Sequence, residues 1–221
     1  AAVLKGGFRE IKVKLGLPLR DAIARAKLVR KLAGDEIALY VDANWAYDVD
    51  DALIVGRALA DFGYGFFEEP IAPQDREGYR RLAQHLPIRL AGGESDFVAT
   101  DALISLQDRS LGLIQPDVTR SSGISETWRI CELAAAFNTA YAPHVGWSGA
   151  ICVAASLQLA AAAETFRTFE CMVYQNPLRD AFTHPIVGEG SQLVEGKLAV
   201  PQGPGLGIEI DRDALARFRI A

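Results

Sequence analysis

One chemically reactive residue closes each short apolar run of this 221-residue chain, and these residues recur at nearly constant intervals. Successive members are 28, 26, 26, 23, 27 and 26 residues apart, and they are Lys14, Asp42, Glu68, Glu94, Asp117, His144 and Glu170. A strand, its crossover helix and the next strand together occupy roughly 30 residues. The pattern therefore predicts repeated βα units with a reactive side chain at the carboxyl end of each strand, where parallel barrels place their chemistry.

Apolar runs alternate with amphipathic helical patterns along most of the chain. We predict strands over Glu10–Lys14, Ile37–Asp42, Gly65–Glu68, Ile88–Gly92, Gly112–Gln115, Thr139–Pro143 and Arg167–Glu170. We predict helices over Leu19–Ala33, Asp51–Phe62, Gly78–His85, Asp101–Gln107, Ile124–Phe137 and Gly149–Glu164, with Thr100 as the N-cap of the fourth. Such alternation indicates an α/β fold with a parallel sheet and helices outside it.

The predicted strands number seven, whereas a closed barrel of this type has eight. The opening segment Ala1–Gly7 has the pattern of a helix end closed by two glycines, so we expect a first barrel strand to precede this chain. The alternation of strand and helix patterns ends at Asn176, where prolines and glycines become frequent. We therefore predict a barrel domain over residues 1–175 and a C-terminal tail over residues 176–221 that packs against another region, with a short helix near Asp213–Phe218.

Composition excludes several classes of partner. The net charge of −5 comes from interspersed acidic and basic residues, so no basic stripe for nucleic acid is present. No segment is long and apolar enough to span a bilayer, so we expect no membrane association. Three cysteines without a Cys-x-x-Cys pair, Cys131, Cys152 and Cys171, are typical of reduced core thiols, and we expect a cytoplasmic protein.

Three carboxylates, Asp42, Glu68 and Glu94, each close a separate strand. In one barrel mouth they would repel one another unless a cation lay between them, and oxygen-only ligands favour Mg²⁺ and then Mn²⁺. A lone carboxylate would more often be a helix cap or a surface ion pair, but three in the same structural phase favour a metal site. Glu69 follows Glu68 directly, so strand alternation sends it to the other face, where we expect a structural role.

Lys12 and Lys14 lie two residues apart on the first strand and therefore share one face. In the barrel interior, the two ammonium groups would lower each other's pKa, and the nearby metal would lower both. The shift is towards the value that a general base requires. The alternative is an edge strand with a solvated lysine face. The alternating Ile11, Val13 and Leu15, which would pack outward against helices, favour the interior placement.

Asp117 and His144 close consecutive strands, so the carboxylate can hydrogen-bond one imidazole nitrogen and raise the basicity of the other. A lone histidine would more often be structural. Glu170 closes the last predicted strand and could, if protonated, donate to a bound anion; a salt bridge is an equally good interpretation.

Charge arithmetic favours one use of these groups. Three carboxylates, a divalent cation and two protonated lysines sum to +1, which a substrate carboxylate would neutralise. Removal of the proton α to that carboxylate creates a second negative charge, and the resulting enediolate is what the cationic neighbours would stabilise most.

The chain resembles the enolase superfamily, in particular its mandelate racemase subgroup. The matching pieces are Lys12-Val13-Lys14, Val41-Asp42-Ala43-Asn44, Glu68-Glu69-Pro70, Gly93-Glu94, Gln115-Pro116-Asp117, Pro143-His144 and Glu170. Their order, spacing and strand positions agree over nearly the whole chain. The resemblance implies a (β/α)7β barrel and an N-terminal α+β capping domain, of which this chain would lack the cap and the first strand.

The resemblance also implies a role for each matching residue. Asp42, Glu68 and Glu94 would bind Mg²⁺, Lys14 would be the base on one substrate face, and Lys12 would lie beside the substrate carboxylate. His144, paired with Asp117, would be the acid or base on the opposite face, and Glu170 would hydrogen-bond the carboxylate. Asn44 and Trp147 are candidate substrate-binding residues.

Members of this subgroup share enolate formation and differ in the next step. We expect dehydration of a sugar acid, which is the subgroup's most frequent chemistry. The tail segments Asn176–Arg179 and Pro204–Ile210 resemble galactarolactone cycloisomerases, so cycloisomerisation of a sugar lactone is the second hypothesis and racemisation of a 2-hydroxy acid the third. A non-catalytic barrel that binds sugar acids is the alternative from another class. We also expect a homo-oligomer, as in many family members.

Overall fold

The computed structural model describes residues 6–187 and 193–219, so most of the predicted opening helix lies outside the described residues. Its main feature is a six-stranded parallel sheet in which the strands follow one another in chain order. The strands are β1 Glu10–Lys14, β2 Ala38–Asp42, β3 Phe66–Glu68, β4 Arg89–Gly92, β5 Leu113–Ile114 and β6 Ala140–Tyr141. Lys14 pairs with Asp42 and Asp42 with Glu68, so the reactive ends of β1 to β3 are aligned.

A helix follows each of these strands. The helices are α1 Leu19–Ala33, α2 Val49–Asp61, α3 Arg76–His85, α4 Ala99–Gln107, α5 Ile124–Ala136 and α6 Ala150–Ala162. None of the helices in the described ranges has the length and apolar character needed to cross a bilayer. The alternation of parallel strands and helices confirms the predicted α/β barrel architecture.

The N-terminus of α4 differs from the prediction. Thr100 is not the N-cap, because α4 begins at Ala99 and Val98 occupies the cap position. The Asp101 carboxylate instead accepts a hydrogen bond from the backbone N–H of Val98, at 3.2 Å. An acidic side chain in the first helical turn thus satisfies a backbone donor that a cap residue usually serves.

Strand alternation separates an outer core from a barrel interior. Outward residues such as Leu15, Val41 and Phe67 are fully buried beneath the helices. The inward residues form what we call the interior layer: Tyr40, Phe66, Ala91, Leu113 and Ala142. The rings of Tyr40 and Phe66 stack there, with centroids 4.1 Å apart. This small apolar layer closes the middle of the barrel below the strand tips.

The predicted seventh strand, Arg167–Glu170, is wrong in its extent. Among the described residues only Phe166 makes a β-bridge in this region, to Tyr141 of β6. The Arg167 N–H donates to the Tyr141 carbonyl at 2.8 Å, and beyond it no ladder partner continues the pairing in the described ranges. A strand needs a neighbour along its length, so the segment is extended without being a strand.

This extended segment nevertheless returns to the first strand. The Arg167 guanidinium lies 3.3 Å from the Glu10 carboxylate, and Glu170 lies 2.7 Å from Lys12. Side-chain ion pairs therefore connect the two ends of the ring of strands, and the residues after β6 face the same interior as β1.

The described part of the tail packs on the barrel itself. It contains α7 Pro177–Asp180, the antiparallel pair β7 Thr183–His184 and β8 Glu209–Ile210, and α8 Arg212–Ala216. Leu198, Leu206 and Ile208 pack against buried residues of α6. The Gln158 side chain on α6 donates to the Pro201 carbonyl at 2.8 Å. The division at residue 175 and the predicted contact with another region stay predictions.

The cysteines match their expected surroundings in part. Cys131 and Cys152 are buried, as expected of core thiols, whereas Cys171 is half-buried. Burial raises the pKa of the Cys131 thiol to about 12, so this group is protonated at neutral pH.

Candidate active site

Three buried carboxylates converge at the carboxyl ends of β2, β3 and β4. Asp42 and Glu68 are the last residues of their strands, and Glu94 follows β4 by two residues. One oxygen from each lies within 4.8 Å of the others. Since parallel strand ends share one rim, the chain brings together the acidic groups that the sequence predicted as metal ligands.

The chemistry of this cluster fits a hard divalent cation. Its ligand atoms are carboxylate oxygens, which Mg²⁺ and Mn²⁺ prefer. Within the described residues, the buried Glu94 Oε2 accepts no hydrogen bond and has only an ion contact of 3.2 Å with His144 Nε2. Burial raises the pKa of Glu68 to about 7, although Lys12 opposes this shift. A cation between the three groups would give Glu94 Oε2 a partner and would stabilise the ionised form of Glu68.

Lys12 projects from β1 into the same cluster. Its Nζ lies 2.8 Å from both Glu68 oxygens, 2.7 Å from Glu170 and 3.8 Å from Asp42. Burial alone would lower the pKa of Lys12, but these carboxylates outweigh it and raise the pKa. Without a cation the pKa of Lys12 therefore lies above its usual value, because its acidic neighbours stabilise the ammonium form. The lowering expected beside a metal stays a prediction.

Lys14 lies at the rim on the same face of β1. Its Nζ contacts the Asp42 carboxylate, while 59% of its side chain remains exposed. A lysine with one end on a candidate metal ligand and its stem in the mouth can reach a molecule bound above the cluster.

His144 and Asp117 form a buried pair on the far side of the cluster. Nδ1 of His144 lies 2.8 Å from Asp117 Oδ2, while Asp117 Oδ1 accepts from the backbone and hydroxyl of Thr119. Burial lowers the pKa of His144. The hydrogen bond to Asp117 and the carboxylates of Glu170 and Glu94 outweigh burial, so the pKa of His144 is raised. The Asp117 contact makes Nε2 the nitrogen that faces the cluster.

The glycine two residues after His144 leaves room for the ring. A Cβ at Gly146 would lie 2.9 Å from His144 Nε2. Any side chain there would crowd the nitrogen that faces the carboxylates, so this position needs glycine for space.

Glu170 completes the ring of charged groups in ionised form. Its Oε1 lies 2.7 Å from Lys12 Nζ and its Oε2 accepts from the Val145 backbone N–H at 2.9 Å. Burial opposes ionisation, but Lys12 and then His144 lower the pKa of Glu170 to about 2. Of the two interpretations of Glu170 that the sequence left open, the structure shows the salt bridge, because Lys12 holds this carboxyl ionised.

The two predicted pocket residues lie on loops at the mouth. Asn44 is exposed in a left-handed conformation, with φ of 44°, and its backbone N–H donates to Asp42 Oδ1 at 2.8 Å. Trp147 is 69% exposed, and its ring stacks on that of Tyr174 with centroids 5.7 Å apart. Both residues border the opening, and Asn44 contacts the cluster through its backbone N–H.

Sequence reasoning missed two side chains that touch the cluster, and it missed the partner of Glu69. Gln115 donates to Glu68 Oε2 at 2.8 Å, and Arg120 lies 2.7 Å from Glu94 Oε1. Glu69 is buried and accepts a hydrogen bond from the Trp45 indole. For Gln115 a signal existed, since it ends the same apolar run as Asp117. The contacts of Arg120 with Glu94 and of Trp45 with Glu69 had none, because the partners lie on different loops.

Comparison with known proteins places this geometry in a family. A family model described as "Enolase C-terminal domain-like" matches residues 1–214. D-galactarolactone cycloisomerase from Agrobacterium fabrum is 33% identical over 218 residues, which are 97% of this chain and 57% of that protein. Arabinonate dehydratase from Saccharolobus solfataricus is 34% identical over 211 residues, 95% of this chain and 55% of that protein.

Solved structures agree with these relatives. The 3,6-anhydro-D-galactonate cycloisomerase from Zobellia galactanivorans superposes with a TM-score of 0.88 at 30% identity, covering 98% of this chain and 61% of its own. A racemase from Streptomyces coelicolor A3(2) with bound magnesium gives a TM-score of 0.86 at 29% identity, over 99% of this chain and 57% of its own. The chain thus spans little more than half the length of the relatives it matches.

Proposed function

The chain belongs to the enolase C-terminal domain-like family, within the mandelate racemase group of the enolase superfamily, and from this membership we propose that its site removes the proton α to the carboxylate of a sugar acid. Elimination of water from that acid is the reaction we favour. Asp42, Glu68 and Glu94 would hold Mg²⁺, with Mn²⁺ as a substitute. When bound, the cation supplies positive charge that offsets the negative charge developing on the substrate carboxylate.

The observation that carries this proposal is the placement of two proton-transfer groups at the two ends of the carboxylate row. Lys14 contacts Asp42, whereas His144 Nε2 lies 3.2 Å from Glu94. A molecule bound over the cluster therefore meets an amine on one side and an imidazole on the other. A site that only binds an anion needs no such pair.

The residues divide the proposed reaction between them. Lys14, as a neutral amine, accepts the α-proton, and the C–H electrons form the double bond as the β-hydroxyl departs. His144 gives its Nε2 proton to that hydroxyl, so water leaves, and Asp117 stabilises the imidazolium before transfer. Lys12 places its ammonium beside the substrate carboxylate, and Glu170 holds Lys12 in that position. Asn44 and Trp147 border the bound sugar chain.

The test is exchange of the α-proton in deuterated buffer with Mg²⁺ present. Aldonic and aldaric acids and their lactones are incubated with the protein and followed by NMR and mass spectrometry. We expect deuterium incorporation that Lys14→Met or His144→Asn reduces, and product lighter by one water. If no acid or lactone exchanges, the proposal fails and the non-catalytic binding barrel replaces it.

Cycloisomerisation of a sugar lactone is the second candidate. Its support is the name of two relatives, the Agrobacterium fabrum protein and the Zobellia galactanivorans structure, which cover nearly the whole chain. Mass spectrometry separates the two reactions because isomerisation, like racemisation of a 2-hydroxy acid, conserves the substrate mass. Self-association and cytoplasmic location also remain our proposals, and they await measurement of the solution mass and the cellular distribution.

A further inference from the structure

Glu69 is a buried acidic group that the proposed reaction does not use. It is 1% exposed, and a Cβ on Gly92 would lie 3.7 Å from its Cγ, which places Glu69 on the outward face of the sheet. No lysine, arginine or histidine in the described ranges pairs with it. Burial and then the Glu94 carboxylate raise its pKa to about 8. An acidic group held in such surroundings requires a reason.

Trp45 is attached to Glu69 at two points. Its backbone N–H donates to the Glu69 carbonyl at 2.8 Å, and its indole N–H donates to Oε2 of the Glu69 side chain. Among the described residues, Oε1 accepts no hydrogen bond, so the indole is the side chain's hydrogen-bond partner. The bond joins the loop after β2 to the loop after β3.

The residues joined in this way have strained backbones. Asn44, Trp45 and Glu69 all have positive φ, at 44°, 63° and 39°. A residue other than glycine in this region costs on the order of 1–3 kcal/mol and persists only where surrounding contacts determine it. The same turn sends the Asn44 N–H to Oδ1 of Asp42 at 2.8 Å. The Asn44–Trp45 turn is therefore hydrogen-bonded to Asp42, a carboxylate of the cluster.

We propose that Glu69 is a positioning residue: by accepting from the Trp45 indole it holds the Asn44–Trp45 turn, and this turn orients the Asp42 carboxylate for the metal. The inference rests on the proposed function only in treating Asp42 as a ligand. Glu69 acts through Trp45 and does not itself face the cation, because it lies on the outward side of the sheet. What the position requires is a hydrogen-bond acceptor of this length.

Two variants of similar size separate acceptor from bulk. Glu69→Gln keeps an acceptor oxygen, whereas Glu69→Leu fills the space without one, and Glu77→Leu on the exposed face of α3 is the matched control. The first readout is hydrogen exchange of the Trp45 indole N–H by NMR. The chain has three tryptophans, so the resonance is assigned by its loss in Trp45→Phe. The second readout is Mn²⁺ affinity without substrate, measured by calorimetry.

We expect Glu69→Leu to speed indole exchange at least about tenfold and to weaken Mn²⁺ binding by about tenfold, the usual size for a partner of a metal ligand. Glu69→Gln should stay within about threefold of the native protein in both readouts. Native exchange and native affinity in Glu69→Leu would overturn the positioning role.

Trp45→Phe keeps the test decisive if Glu69→Leu does not fold. It retains the ring, which is 47% exposed, and removes only the donor. We expect Mn²⁺ binding to weaken by about threefold to tenfold, and an unchanged affinity would contradict the proposal. A native protein that binds no Mn²⁺ overturns the metal site and this inference with it, whereas native binding with unaffected variants overturns this inference alone.

Discussion

The two ends of the barrel interior differ in how their charged groups are paired and buried. At the lower end, Tyr40 donates to the Glu10 carboxylate at 2.5 Å and Arg167 lies 3.3 Å from the same group. At the upper end, buried carboxylates crowd around Lys12, and the Glu94 Oε2 atom lacks a hydrogen bond within the described chain. Tyr40 belongs to the interior layer, and its hydroxyl reaches the lower end.

The difference shows which end serves stability and which serves chemistry. The lower charges are half-exposed and matched, so they contribute modestly without penalty. The upper acidic groups outnumber their cationic partners and are withdrawn from water, which costs free energy unless a ligand offsets it. Buried groups with shifted pKa values are typical of functional sites. Substitutions at the upper end should therefore remove function, and those at the lower end should remove stability.

Glu68→Gln gives the largest expected effect. The change removes one negative charge from the metal site, and loss of several kcal/mol of charge stabilisation lowers α-proton exchange by on the order of 10³-fold. The free energy of unfolding without divalent cation should not fall at pH 8, since burial already disfavours the ionised Glu68. Exchange by NMR and urea unfolding measure both quantities. Glu77→Gln is the control, and retained exchange in Glu68→Gln would refute the metal assignment.

The stability of the cation-free protein should fall as pH rises from 5 to 8. Burial raises the pKa of Glu68 to about 7 and that of Glu69 to about 8, so between the unfolded value near 4.5 and these values the folded state binds more protons. By linkage, the free energy of unfolding decreases with pH in this window, by on the order of a few kcal/mol. The lowered pKa of Glu170 acts below this window.

Urea unfolding at pH 5, 6.5 and 8 with a chelator measures this slope. The double variant Glu68→Gln with Glu69→Gln should reduce it, because neither amide titrates, while Asp96 and His144, whose pKa values are also raised, keep the remainder. Saturating Mn²⁺ should also reduce it, since the cation stabilises the ionised carboxylates at high pH. Stability that rises with pH in the native protein would show that the upper end does not carry the strain we assign to it.

Local patterns predicted the frame of this molecule well. The bounds of β1 and α1 agree with the sequence prediction, because apolar periodicity and flanking glycines are local signals. Helices α3 and α4 begin two residues earlier than predicted, since polar first-turn residues resemble loop residues. The spacing of the reactive residues also indicated which side chains share a rim, because each lies at a strand end whose position the period sets.

Non-local contacts could not be predicted in the same way. Lys12 and Glu170 pair across the ends of the ring, and this contact helps to raise the pKa of Lys12 and to lower that of Glu170. Glu69 was correctly sent to the outward face by alternation, but its partner Trp45 lies on another loop. The predicted seventh strand failed because an extended segment becomes a strand only beside a suitable neighbour.

Tyr40→Phe examines the lower end with a moderate effect. The change removes the hydroxyl that donates to Glu10 and accepts from Arg167 at 3.5 Å. A hydrogen bond to a charged group contributes about 1.5–3 kcal/mol, so the free energy of unfolding should drop by roughly that amount. Mn²⁺ affinity should remain native because the change removes only the hydroxyl at the lower end and leaves the ring in the interior layer. Tyr64→Phe, which loses a bond to the neutral Ala26 carbonyl, should cost less. Weakened Mn²⁺ binding in Tyr40→Phe would show that the two ends are coupled.

Arg120→Gln should give the smallest effect, because it alters the upper end at its exposed margin. The Arg120 guanidinium lies 2.7 Å from Glu94 Oε1, where it competes with a divalent cation for that oxygen and repels it. Half-exposed ion pairs contribute less than about 1 kcal/mol, so we expect Mn²⁺ affinity to rise about twofold to fivefold at low salt. Screening should abolish the gain near 0.5 M salt, where the Debye length is about 4 Å. Weaker Mn²⁺ binding in Arg120→Gln would mean that Arg120 orients Glu94 rather than competing with the cation for it. The uncompensated negative charge at the upper end would then be too small to distinguish it from the lower end.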